Sequence, residues 1–178
     1  PERSRWLNRA QKRLQRLRQA AVAQAPVPMS LASWAAAESI FSDGSVEVAN
    51  CSQDLGTGHR TAMAIVAAEE LGIGTEPIKV TIGDTSLGLK GPASGGSTTT
   101  PTVAPAVRSA VYKAKQKLFE KVAEKWKTTA DDIDCKDGNV ISKSDASRKL
   151  AWKEAAALIR KDTIVTLGEH IRAEVPES

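Results

Sequence analysis

Two stretches of this 178-residue chain combine glycines and hydroxyl side chains directly before a predicted helix. The first is Gly56-Thr57-Gly58, which lies between a predicted strand at 45–50 and a predicted helix at 61–71. The first backbone N–H groups of a helix have no partner within the helix, and the helix dipole attracts anions to them. The first loop is therefore suited to a phosphate or pyrophosphate group.

The second stretch, residues 91–101, is also rich in glycine, serine and threonine and leads into a long helix predicted at 103–127. A flexible linker is the alternative interpretation of such a composition. Because two loops of the same kind occur in one small domain, we predict that they line a shared anion site. Besides backbone N–H groups, the hydroxyls available for this site are those of Thr57, Thr61, Ser97, Thr98, Thr99 and Thr100.

Neither loop is a standard nucleotide signature. Thr61 stands where a dinucleotide-binding loop has its third glycine, and the chain has no Gly-Lys-Ser/Thr triplet. A hydroxyl nucleophile would need a positioned base, and the histidines are His59 and His170. We expect His59, just past the turn, to contact a ligand phosphate or to face solvent. The sequence therefore predicts a binding site and no catalytic residue.

The surrounding pattern predicts an α+β fold in which antiparallel strand pairs pack with two longer helices. Strands at 35–41 and 45–50 flank an Asp-Gly turn, a further strand is predicted at 77–82, and a hairpin is predicted at 131–141. Three aspartates of that hairpin are interpreted as a solvated edge, not as a metal site. A short helix at 150–160 follows. The predicted domain spans residues 35–168, and a polar tail is expected at 169–178.

The N-terminal region differs from the rest of the chain in charge. Residues 1–20 carry seven arginines and lysines against one glutamate, so they hold more than the whole net charge of +4. An apolar stripe at helical spacing predicts a basic amphipathic helix at 1–25, and prolines predict a linker at 26–34. We expect the stripe of helix 3–21 to dock on protein or to mediate self-association, with no nucleic-acid partner because the basic residues form one helix and not a domain face.

The composition points to a cytoplasmic protein without a membrane partner. No apolar run approaches the roughly 18 residues that span a bilayer, and no signal-peptide pattern opens the chain. Cys51 and Cys135 are too few and too far apart for a metal knuckle or a disulfide framework, so we interpret them as ordinary thiols.

Four motifs, in order and evenly spaced, resemble the molybdenum hydroxylases, the family of xanthine dehydrogenase and aldehyde oxidoreductase, in their molybdopterin-binding subunit. The resemblance extends from about residue 45 to 139 and more weakly to 168. The motifs are Ser52-Gln53-Asp54-Leu55-Gly56-Thr57-Gly58, Ala67-Ala68-Glu69-Glu70-Leu71-Gly72-Ile73, Ile82-Gly83-Asp84-Thr85 and Gly91-Pro92-Ala93-Ser94-Gly95-Gly96-Ser97-Thr98-Thr99.

The resemblance implies a domain that grips a molybdenum–molybdopterin cofactor, which in bacterial relatives is often the cytosine dinucleotide form. It implies that the metal is held by the pterin sulfurs, so no protein ligand is expected. Relatives such as the xanthine dehydrogenases carry Gln where this chain has Thr57. The residues implied in cofactor contacts are Gly56, Thr57, Gly58, Gly96, Ser97, Thr98 and Thr99.

The family's molybdenum subunit is several times longer than this chain, and its essential glutamate lies in a segment beyond residue 178. Iron–sulfur and flavin modules sit on other domains or subunits, and two cysteines cannot hold a cluster. The resemblance therefore implies a cofactor-gripping fragment, split subunit or remnant of an enzyme that hydroxylates aldehydes or N-heterocycles, and inactivity of the chain alone. The alternative is a non-catalytic binding or assembly module that kept the fold and lost the cofactor.

Overall fold

The computed structural model describes residues 33–87, 89, 91, 93–160 and 162–171. The predicted basic helix at 1–25 and all but the last two residues of the predicted linker lie outside them. The described elements, in chain order, are β1 (Ser33–Phe41), β2 (Val46–Asn50), α1 (His59–Leu71), β3 (Ile78–Ile82), α2 (Thr99–Trp126), β4 (Ile133–Lys136), β5 (Asn139–Ser142), β6 (Lys149–Ala151), α3 (Trp152–Ala156) and β7 (Thr163–Ile171).

A four-stranded sheet in the order β3-β2-β1-β7 forms the centre of the fold. β1 and β2 form the predicted antiparallel hairpin. Gly44 closes its turn at a φ of 84°, where a side chain would be strained, and its N–H donates to the Phe41 carbonyl over 2.9 Å. β3 pairs parallel to β2 after the α1 crossover. The predicted α+β class is confirmed, with this one parallel pair added to the antiparallel ones.

β7 was not predicted, and it completes the sheet. It pairs antiparallel with β1 along its whole length, from Ser33 opposite Ile171 to Phe41 opposite Thr163. Residues 169–171, predicted as the start of a polar tail, therefore belong to the sheet. The predicted helix at 150–160 is also shorter, because 149–151 form β6 and only Trp152–Ala156 is α-helical before a 3-10 turn at Ala157–Ile159.

Both long helices pack into one hydrophobic core with the sheet. The core joins β1 and β2 residues such as Ile40 and Val48 to Met63 of α1 and to Val107 and Val111 of α2. Aliphatic side chains fill it, as the scarcity of aromatics (4%) requires. α2 begins at Thr99, four residues before its predicted start. Its first turn contains Pro101, and a proline in the first turn of a helix costs no hydrogen bond, so the helix can begin before this residue.

Cationic side chains cover carbonyl groups on both edge strands of the sheet. On β7, the Val165 and Leu167 carbonyl oxygens accept from Lys117 Nζ at 3.3 Å and Lys113 Nζ at 2.9 Å. On β3, the Val80 carbonyl accepts from the Arg60 guanidinium at 3.1 Å. Edge strands with free backbone groups invite pairing with other chains, and lysine on an edge opposes it.

A smaller sheet in the order β4-β5-β6 packs against the far end of the helices. Its β4–β5 hairpin is the one predicted from the sequence. Asp132 is held by the Ser142 hydroxyl at 2.7 Å and the Ser144 N–H at 2.9 Å, and these hydrogen bonds lower the pKa of its carboxyl. Among the described residues, no group of His, Cys, Asp or Glu could hold a metal ion. None of the described helices is both long and apolar enough to cross a membrane.

Trp152 fastens the β1–β2 turn to α3. Its buried indole N–H donates to the Gly44 carbonyl over 2.8 Å, across 108 residues of sequence.

Phenylalanine at position 152 would leave the Gly44 carbonyl without its donor and open a small void. We expect Trp152→Phe to lower the free energy of unfolding by about 1.5–3 kcal/mol in urea titration. Trp126→Phe is the control, because the indole of that half-buried residue has no hydrogen bond among the described residues, and a change below about 1 kcal/mol is expected. Equal losses in the two variants would contradict a special role for Trp152.

Candidate functional site

The first glycine loop approaches α1 without a side-chain cap. Gly56 and Gly58 have φ values of 74° and 75°, which is why glycine occupies both positions. Gly58 is the N-cap residue of α1, and no side chain bonds to the first N–H groups of that helix. Asp54 steadies the loop by accepting from the Gly56 N–H at 3.2 Å and from Arg60 Nε at 2.9 Å. The hydrogen bond from Arg60 lowers the pKa of the Asp54 carboxyl.

The second loop approaches α2 in the same manner. Gly96 and Ser97 both lie in the left-handed region, with φ values of 56° and 57°. Thr98 is the N-cap residue, but its side chain turns backward and donates to the Gly95 carbonyl at 2.7 Å. No side chain caps the first N–H groups of α2. Both helices therefore begin with backbone donors that no described side chain uses.

A glutamine joins the two loops. Gln53 Oε1 accepts from the Ser94 N–H at 3.0 Å and from the Ser94 hydroxyl at 2.7 Å, across 41 residues of sequence. The sequence motifs include both residues, but nothing in local composition or periodicity predicts that they meet. This contact places the two glycine loops side by side.

The two loops line one cleft of about 440 Å³. Of the predicted contact residues, Thr57, Ser97 and Thr99 lie in its wall, and Gly56, Gly58, Gly96 and Thr98 are their immediate neighbours in the chain. Thr61 is exposed on α1 and does not line the cleft. The described residues of the wall are Gln53, Leu55, Thr57, Ser94, Gly95, Ser97, Thr99 and Thr100.

The chemistry of this wall fits an anionic, oxygen-rich ligand. Of the described side chains in the wall, none is titratable, so the wall offers hydroxyls, a carboxamide and backbone N–H groups. The space around the glycines is open, because a Cβ added at Gly56, Gly58 or Gly96 would meet no atom within 4 Å. A ligand can therefore approach the backbone of both loops closely. These observations fit a phosphate-bearing cofactor such as molybdopterin.

His59 does not face solvent, although solvent was one of its two predicted environments. α1 begins two residues earlier than predicted, so His59 is its first residue and turns inward, with only 3% of its surface exposed. Burial lowers the pKa of its imidazole, and the nearby Asp54 carboxylate opposes that shift. Neither ring nitrogen has a hydrogen-bond partner among the described residues. A helix start at residue 61 would have left this side chain in the loop, which explains the incorrect solvent-exposed alternative.

A larger cavity of about 600 Å³ lies at the opposite end of α1, beside Gly72 and Cys135. None of the predicted cofactor-contact residues lines it. Burial is the main cause that raises the pKa of the Cys135 thiol to about 12, so this cysteine is protonated at neutral pH. Cys51 and Cys135 are both free. The predicted contact residues therefore lie at the smaller cleft and away from this cavity.

The fold and cleft define an α+β domain with two glycine-rich loops at the starts of two uncapped helices. Residues 2–174 match the molybdopterin cofactor-binding domain family. The chain belongs to that family, and the resemblance seen in the four sequence motifs is confirmed. No curated protein sequence matches the chain.

Solved structures of molybdenum hydroxylases share this fold. Quinoline 2-oxidoreductase from Pseudomonas putida 86 superposes with a TM-score of 0.68 at 17% identity, covering 79% of this chain and 19% of that one. The reconstituted CO dehydrogenase from Oligotropha carboxidovorans superposes with a TM-score of 0.72 at 24% identity, covering 82% of this chain and 19% of that one. The chain thus spans about a fifth of the length of these structures.

Proposed function

We propose that this chain grips a molybdenum–molybdopterin cofactor in the cleft between its two glycine loops, as one part of a molybdenum hydroxylase. The observation that carries this proposal is the meeting of both loops at one cleft, in a chain of the molybdopterin cofactor-binding family. In this proposal Gly56, Thr57 and Gly58 contact the cofactor from one side. Gly96, Ser97, Thr98 and Thr99 contact it from the other.

The cytosine dinucleotide form is the cofactor that we propose. That form carries a pyrophosphate, and two uncapped helix starts beside one cleft provide two sets of backbone donors for two phosphate groups. The threonine and serine hydroxyls add neutral donors that neither compete for a proton nor bind the metal. When bound, the cofactor would supply the redox chemistry, and this chain would hold and orient it.

The complete enzyme, in our proposal, hydroxylates an aldehyde or an N-heterocycle. In this reaction a C–H bond of the substrate is replaced by C–OH with the oxygen of water. Substrate and water together release two electrons and two protons, and the electrons pass to iron–sulfur and flavin partners. Supporting this, the similar structures include a quinoline 2-oxidoreductase and a CO dehydrogenase. The wall of the cleft has no titratable side chain among its described residues. The proton-transferring group therefore belongs, in this proposal, to the remaining part of the molybdenum subunit, and the chain alone turns over no aldehyde.

Cofactor occupancy tests the proposal. The full chain, made in a host that synthesises the cofactor, is expected to co-purify with molybdenum and with pterin, measured by elemental analysis and by fluorescence after oxidation. Thr57→Val removes one hydroxyl donor from the wall and should weaken cofactor binding about tenfold. Thr61→Val is the matched control, since Thr61 lies near the same helix start but outside the cleft, and it should retain wild-type occupancy.

Two outcomes would overturn the proposal. An empty but well-folded wild-type protein would favour the alternative, a non-catalytic binding or assembly module. Equal loss of cofactor from the Thr57→Val and Thr61→Val variants would show that the cleft is not the binding site. Release of cytidine monophosphate on acid hydrolysis distinguishes the dinucleotide from the simpler pterin.

A further inference from the structure

The orientation of the Gln53 carboxamide is fixed by its partner. The Ser94 backbone N–H can only donate, so the atom that faces it must be the oxygen of the carboxamide and not its nitrogen. The Ser94 hydroxyl bonds to the same oxygen. The NH₂ group of Gln53 therefore points away from Ser94, with two donors of its own.

That NH₂ group is available to a ligand. Within the described part of the chain, no acceptor is hydrogen-bonded to Gln53 Nε2, and the residue is exposed where it borders the cleft. Apart from Leu55, the rest of the wall offers hydroxyl and backbone N–H donors that suit phosphate oxygens. An amide N–H at this place adds one more donor of the same kind, and phosphate oxygens accept such bonds well.

We propose that Gln53 is a two-sided cofactor-binding residue, whose Oε1 fastens the second loop and whose Nε2–H donates to a phosphate oxygen of the bound cofactor. The inference rests on the proposed function for the ligand, while the fastening role depends on this chain alone. It adds a residue to the cofactor contacts that the sequence motifs implied.

The fastening role follows from how the second loop is held. Between residues 93 and 98, the other hydrogen bonds of the described loop are local, such as those from Thr98 to Gly95. The two bonds from Ser94 to Gln53 are thus the long-range hydrogen bonds that hold the loop against its neighbour. A loop that is already ordered before the ligand arrives loses less conformational entropy on binding, which strengthens the binding.

Two substitutions separate the two roles. Gln53→Met has nearly the same length but neither accepts nor donates a strong hydrogen bond. Gln53→Glu keeps an acceptor for Ser94 and replaces the NH₂ group with a negatively charged oxygen. Gln116→Met is the control, because Gln116 lies half-buried on α2 and does not line the cleft.

The first measurement is backbone hydrogen exchange of the full chain without cofactor. Gln53→Met should speed exchange of the Ser94 amide about tenfold or more, whereas Gln53→Glu and Gln116→Met should leave it near the wild-type rate. Unchanged Ser94 exchange in Gln53→Met would overturn the fastening role. This readout needs no cofactor, so its result is independent of whether the proposed function holds.

The second measurement is calorimetric titration with inorganic pyrophosphate. Gln53→Met should weaken binding about tenfold, and Gln53→Glu should weaken it at least as much although its loop stays ordered. Wild-type affinity in Gln53→Glu, or no pyrophosphate binding by the wild-type protein, would overturn the donor role. Pterin occupancy of the wild-type chain decides the proposed function separately, so the two failures are distinguishable.

Discussion

Replacing Gly168 by alanine is expected to destabilise the protein by at least about 3 kcal/mol or to prevent folding. Gly168 lies on β7 directly against the backbone of α2. A Cβ at this position would lie 2.0 Å from the Ala106 carbonyl oxygen and 2.4 Å from the Ala110 nitrogen. Both are backbone atoms of a helix in a close-packed core, so neither can move aside alone. Strand and helix would have to separate, which would also break the bond from the Thr166 hydroxyl to the Ala110 carbonyl.

Urea unfolding followed by circular dichroism measures this effect. Gly95→Ala is the matched control, because a Cβ at Gly95 meets no atom within 4 Å. That variant should stay within about 0.5 kcal/mol of the wild-type protein. A Gly168→Ala protein as stable as Gly95→Ala would show that β7 and α2 do not approach closely enough for a Cβ at this position to clash.

Replacing Glu38 by leucine is expected to stabilise the protein by about 2–4 kcal/mol at pH 8. Glu38 is fully buried on β1, and neither carboxyl oxygen has a hydrogen-bond partner among the described residues. It stands opposite Val48 of β2 and Thr166 of β7, and opposite residues of paired strands share one face of a sheet. That face packs on α2, where the Thr166 hydroxyl donates to the Ala110 carbonyl. Val48 and Thr166, the cross-strand neighbours of Glu38, are uncharged.

The stability of the wild-type protein should depend on pH through this residue. Burial raises the pKa of Glu38 well above its ordinary value. The unfolded chain then loses the Glu38 proton at lower pH than the native protein, since an exposed glutamate has a pKa of about 4.3. The contribution of Glu38 to native stability is therefore most favourable below that value and falls as the pH rises toward the native pKa, by up to about 1.4 kcal/mol per pH unit.

Urea titrations between pH 4 and pH 9 measure the effect. The difference in the free energy of unfolding between Glu38→Leu and the wild-type protein should widen with rising pH. Glu38→Gln should lose the same pH dependence because its side chain does not titrate. Stability curves that run parallel for the three proteins over this range would contradict the buried, protonated state of Glu38.

The elements with strong local signals were predicted well from the sequence. The Asp-Gly turn and the alternating side chains around it predicted the β1–β2 hairpin, and apolar residues at helical spacing predicted both long helices. The starts of the two long helices were predicted two and four residues too late. A first turn can contain a proline or a histidine, so the residue types in that turn do not show whether it is helical. The four motifs predicted the family because their order and spacing carry information that no single loop has.

What the sequence could not predict depends on contacts between distant segments. β7 ends in a polar sequence, and it forms a strand because β1 offers nine residues of pairing and α2 accommodates Gly168. Gln53 and Ser94 are 41 residues apart, and only the folded chain brings them together. Likewise, the burial of His59 follows from where α1 begins relative to the sheet, which local propensity does not fix.

The cationic side chains along the sheet edges affect how this domain meets other proteins. Lys113, Lys117 and Arg60 occupy backbone carbonyls that an incoming strand would need on β7 and β3. A foreign strand would first have to displace Lys113 and Lys117 from their acceptors on β7, or Arg60 from its acceptor on β3. Contacts of this domain with other proteins are therefore expected to involve loops and side chains, and growth of the sheet from molecule to molecule is disfavoured during folding at high concentration.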